Sequence, residues 1–105
     1  VPTASPAERK EQKRLEAEER QRLAAQRKPL ENRLKRIDEQ MAKLQTKKAG
    51  IDAVLLDPAI YDAGNKDKLK TAVADQAFAV RDLEALEMEW LEVQEQLEAL
   101  TPQSA

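Results

Sequence analysis

The chain of 105 residues contains no cysteine and no histidine. The first absence rules out a disulfide framework and any thiolate metal site. The second removes the commonest general base together with the commonest transition-metal ligand. Aromatics are nearly missing too, and Tyr61, Phe78 and Trp90 are too few to fill a broad globular core. No apolar run is longer than that of Ala53-Val54-Leu55-Leu56, which is far too short for a membrane span, and nothing resembles a signal peptide. A cytoplasmic location without membrane contact is the expectation. The chain begins at Val1, with Pro2 and Pro6 in an Ala/Ser/Thr stretch, and reads as a piece cut at a linker from something longer.

What is abundant is charge, at 36% of residues, with only two glycines to interrupt a helix. That composition suits extended, solvated helices provided an apolar stripe holds them together. Two such stripes are present. Leu30, Leu34, Ile37, Met41, Leu44, Ile51 and Leu55 recur at steps of four and three, interrupted by Lys48. Leu69, Ala72, Gln76, Ala79, Leu83, Leu86, Trp90, Val93, Leu97 and Leu100 repeat the pattern after the segment LDPAIYDAGNKD. Two heptad seams joined by a loop predict an all-α fold, an antiparallel two-helix coiled-coil hairpin.

Residues 1 to 7 read as linker and 8 to 28 as a basic helical extension. Residues 29 to 100 read as the hairpin, with its loop at about 57 to 65, and 101 to 105 as a tail stopped by Pro102. Pro29 biases Lys28 away from helical angles and marks either a kink or a fresh helix start. Leu23 keeps the downstream heptad phase, whereas Leu15 falls out of it. If paired position numbers add to about 127, Ile37 meets Trp90, Met41 meets Leu86, Leu44 meets Leu83 and Leu30 meets Leu97. That register flanks Lys47 with Asp75 or Asp82 and brings Asp38 toward Glu87. Lys48 and Gln76 are expected to fix register near the tip, Trp90 to sit in the core, and Ile60 and Tyr61 to cap the loop rather than meet a partner.

The net charge of −2 hides an asymmetry: residues 1 to 50 hold 14 Lys+Arg against 8 Asp+Glu, and residues 51 to 105 hold 4 against 12. One arm is basic, the other acidic. With Leu30 at heptad position d, Arg14, Lys28 and Lys35 fall at b and Arg22, Arg36 and Lys43 at c, all on the outward face. An outward line of six cations is suited to track a phosphate backbone, where each neutralised phosphate releases counterions. The same cations equally serve solubility, and Glu18, Glu19 and Glu39 dilute the stripe. No P-loop, glycine-rich phosphate cradle, nucleophile motif or metal-ligating cluster is present, so neither catalysis nor a metal site is expected of the chain itself.

The loop LDPAIYD, between a heptad arm and one carrying MEWLEVQEQLE, resembles the C-terminal coiled-coil domain of bacterial ABC-F proteins, in its Uup-like and YheS-like branches. Leu55, Asp57, Pro58 and Tyr61 fit that family's L-x-D-P-x-x-Y pattern. RKEQKRLEAEERQ and QRKPLENRLKRIDEQMAKL are similar to its basic lead-in and to a first arm opened by proline. The resemblance implies a parent with two nucleotide-binding domains that hydrolyses ATP, members of which act on the ribosome or, in the Uup-like branch, bind DNA. ATP belongs to that parent, and no cofactor is implied for this segment. A nucleic-acid-binding appendage, DNA or ribosomal RNA, is the leading expectation. The alternative is a spacer or protein-contact coiled coil that touches ribosomal proteins, the parent's own domains or itself. A monomer is expected, although apolar seam beyond the hairpin overlap offers a route to self-association.

Overall fold

A computed structural model describes residues 5–100; the tail at 101 to 105 and the first four residues of the linker lie outside them. Helix α1 runs from Pro6 to Leu56 and helix α2 from Lys66 to Leu100. Two short 3-10 turns, Pro58–Tyr61 and Ala63–Asn65, join them. The described residues hold no strand, and the arms pack side by side into a rod 88 × 22 × 15 Å. The antiparallel helical hairpin expected from the two seams is the fold.

The start of α1 is set by a capping box. Ser5 Oγ accepts from the Glu8 N–H at 3.2 Å, and a Glu8 carboxylate oxygen accepts from the Ser5 N–H at 3.2 Å, with Pro6 in the first turn. Pro6 and Ala7 are therefore helical, not linker. The S-x-x-E spacing that determines this is visible in the sequence. Pro29 neither ends α1 nor starts a new helix, because α1 is helical on both sides of it. The basic extension and the first arm of the hairpin are one continuous helix.

Every seam position from 30 to 55 and from 69 to 100 is buried or half-buried, and Leu15, out of phase, is 52% exposed. The most enclosed residues are Val93 and Ile37, toward the open end, and Ala72 and Ala79, nearer the tip. Trp90 is half-buried on the seam, as a core aromatic. Gln76 on α2 reaches Asp52 on α1, Leu44 and Leu86 line one groove and Met41 and Trp90 another, so the arms pair near the expected register.

The tip explains why the loop carries the residues it does. Asp57 ends α1 with its N–H on the Val54 carbonyl, and its carboxylate accepts from the Ala59 N–H at 3.0 Å to open the first 3-10 turn, with Pro58 behind it. Tyr61 donates its hydroxyl to the Leu55 carbonyl at 2.7 Å, satisfying an acceptor that the helix end leaves open. Asn65 Nδ2 donates to the Ala59 carbonyl at 2.7 Å. Ile60 plugs the hairpin end at 7% exposure, whereas Tyr61 is 61% exposed. Gly64 turns without a positive φ.

Candidate nucleic-acid interface

Arg14, Arg22, Lys28, Lys35, Arg36 and Lys43 are all exposed along α1, spread over roughly 44 Å at the helical rise. They do not present equal charge to a ligand. Arg14 is held by two carboxylates: it forms ion pairs with Glu11 and with Glu18, the latter at 2.8 Å. Arg22 Nε donates to Glu19 at 3.0 Å. The Glu11 hydrogen bond, seconded by Glu18, pushes the Arg14 pKa up, and Glu19 raises that of Arg22. Glu19 in turn titrates below its ordinary range because Arg22 donates to it. Both guanidiniums are locally neutralised, as their i,i+3 and i,i+4 spacing to Glu predicts.

Lys28, Lys35, Arg36 and Lys43 have no carboxylate partner among the described residues. They lie on one side of α1 within about 23 Å by the helical rise; Glu39, at position f between b and c, falls among them, and Glu31 and Asp38, at e, lie beside their b edge. Arg33 and Lys47, at position g, continue the same edge beyond the b and c positions. The structure therefore divides the six cations into a paired set near the helix start and an unpaired set in the middle.

The acidic arm does not turn wholly away from this edge. Lys43 and Lys47 share a shallow groove with Asp82, floored by Leu44 and Leu86. On the opposite edge Asp38 and Glu87 flank Met41 and Trp90, the like-charge approach expected from the register. Lys48 sits on the seam and donates to Asp52 at 2.7 Å, so the seam ammonium is paired and only partly buried. Among the described residues no cluster of acidic side chains is arranged to hold a metal ion, and no helix is long and apolar enough to cross a membrane. Exposed aromatics are absent from the cationic edge: Tyr61 is at the tip, and Phe78 on α2 lies under the Arg81 guanidinium at 5.1 Å.

No family model matches the chain, and no solved structure matches it. Among curated proteins it is 42% identical over 92 residues to "Probable ATP-binding protein YheS" of Escherichia coli K12, and equally to that of Escherichia coli O157:H7. The match takes in 88% of this chain and 14% of the relative, so the chain spans about a seventh of the length of the proteins it matches. The resemblance to the YheS-like branch of the ABC-F proteins, read from the LDPAIYD loop and the flanking heptads, is borne out.

Proposed function

We propose that this chain, a segment similar to part of the YheS-type ATP-binding proteins, is a nucleic-acid-binding appendage that helps to hold or orient a cytoplasmic ABC-F ATPase on DNA or ribosomal RNA. ATP is bound and hydrolysed elsewhere in that larger protein, and the appendage contributes position, not catalysis. The supporting observation is the set Lys28, Lys35, Arg36 and Lys43, exposed along one side of a rigid helix with no carboxylate to satisfy them. Contact is with phosphates. Without a groove-reading motif or stacking aromatics on that side, sequence-specific readout is not part of the mechanism. Arg14 and Arg22 contribute less than the central four, because a phosphate must first displace Glu11, Glu18 or Glu19.

Titrating the chain with short duplex DNA and with structured RNA at several salt concentrations tests this. Binding that weakens steeply with salt is expected, and the preferred polymer separates DNA from RNA. Changing Lys28, Lys35, Arg36 and Lys43 to Gln should flatten the salt dependence on duplex DNA by about three to four in log–log slope. An equal number of changes among cations elsewhere should flatten it less. Absence of binding even at low salt would transfer the function to protein contact. That second reading is favoured by the tip, where Leu56 is 82% and Tyr61 61% exposed on a hydrogen-bonded frame.

A further inference from the structure

Gln76 of α2 lies beside Asp52 of α1, so Leu100, 24 residues further on, ends near residue 28, and the first 20 or so residues of α1, about 30 Å at the helical rise, project beyond the open end of the hairpin. The heptad phase assigns faces to this projection. Its carboxylates Glu8, Glu11, Glu18 and Glu19 fall at c, f and g, where Glu11, Glu18 and Glu19 are consumed by Arg14 and Arg22. The a, d and e positions, which within the hairpin meet α2, carry Lys10, Lys13 and Arg20 with Ala17, Leu23 and Ala24, and a single acid, Glu16. The packing face of α1 therefore continues past its partner as a cationic strip with small apolar side chains at its centre.

The outer face of α2 is its counterpart in sign and length. Residues 81 to 100 contain one cation, Arg81, and seven carboxylates. Glu84, Glu92, Glu95 and Glu98 are exposed and pair with no cation of their own chain among the described residues. They surround Met88 and Leu91, which are 68% and 51% exposed. The strip measures about 30 Å, close to the length of the projection.

We propose that these two faces bind each other between two copies of the chain. With two rods placed antiparallel and offset at their open ends, the projection of each lies along the outer acidic half of α2 of the other. Residues 10 to 24 then run parallel to 84 to 98. Lys10 and Lys13 meet Glu84, Arg20 meets Glu92 and Glu95, and Ala17 covers Met88 and Leu91. The contact is made twice about one two-fold axis, so assembly closes at a dimer. Lys28, Lys35, Arg36 and Lys43 lie on another side of α1 and stay uncovered, which makes the dimer independent of the nucleic-acid reading. Exposed ion pairs and few apolar groups make it a weak, salt-sensitive association.

Sedimentation equilibrium of the chain at on the order of 100 µM should approach twice the 11.9 kDa chain mass in about 50 mM salt and return to the single-chain mass in about 500 mM salt. The triple variant Lys10→Glu, Lys13→Glu, Arg20→Glu should be monomeric, and so should Glu84→Lys, Glu92→Lys, Glu95→Lys. Mixing the two should restore a dimer, because each copy then supplies the complement to both of the other's altered faces. Circular dichroism confirms that each variant is helical. A single-chain mass for the wild type at low salt overturns the proposal, as does failure of the two folded variants to associate when mixed. If the wild type is monomeric and the first variant alone loses affinity for duplex DNA, the cationic strip serves nucleic acid instead.

Discussion

Asp52 of α1 accepts a hydrogen bond from Gln76 Nε2 of α2 at 2.8 Å, and its second carboxylate oxygen accepts from Lys48 Nζ at 2.7 Å. One carboxylate thus joins the two polar interruptions of the apolar seams. A seam position otherwise tolerates a one-heptad slip at little cost in apolar burial, because Leu and Ile replace one another well. A slip here separates Gln76 from Asp52 while leaving the Lys48–Asp52 pair, which lies within α1, intact, so it is the Gln76–Asp52 bond that favours the register.

The Asp52 carboxyl titrates below the ordinary carboxylate range, chiefly through the Lys48 hydrogen bond and then through that of Gln76. A lowered folded-state pKa means that the stabilisation is present above the unfolded value, near 4, and is lost as pH falls through the folded value. The thermal midpoint should therefore drop below about pH 4. Asp52→Asn, which keeps the shape and removes the charge, should lower the midpoint at neutral pH and bring it closer to wild type in acid. Melts followed by circular dichroism across pH check this; an unchanged difference between the two proteins at all pH values would contradict it.

Gly50 lies within α1 on its exposed side, and a Cβ added there meets no atom within 4 Å. Gly50→Ala should stabilise the hairpin by about 1 kcal/mol through helix propensity alone. For a chain of this size that raises the midpoint by roughly 4–8 °C. A neutral or negative result would mean that α1 is not helical at that position in solution.

Tyr61 contributes to the tip through its hydroxyl, since the residue is mostly exposed and the bond to the Leu55 carbonyl is short. Tyr61→Phe should cost about 0.5–1 kcal/mol, the low end for a hydrogen bond because water reaches the freed carbonyl. Faster amide exchange should be confined to the last turn of α1 and the first 3-10 turn. Loss of protection along both arms would instead show that the tip holds the whole hairpin together.

Several features were legible because they depend on spacing within one helix. The period of 3.5 residues placed Leu15 outside the seam and Trp90 on it, and the structure exposes the one and half-buries the other. The capping box at Ser5 and Glu8 and the neutralisation of Arg14 and Arg22 obey equally local rules, S-x-x-E and Glu–Arg spacings of three and four. The two strips of opposite charge that face outward also follow from phase alone.

Sequence by itself determined that two amphipathic helices fold back on one another around the DPxxY tip, since heptad spacing and turn chemistry act between neighbours along the chain. Only the tertiary structure decided that α1 passes through Pro29 unbroken, because whether a proline ends a helix depends on what packs on either side of it. Only it could select Asp52 as the partner of both Lys48 and Gln76 and bring Asp82 beside Lys43 and Lys47. Those relations join residues far apart in sequence, and which side chains can reach one another is set by the register and separation of the packed helices.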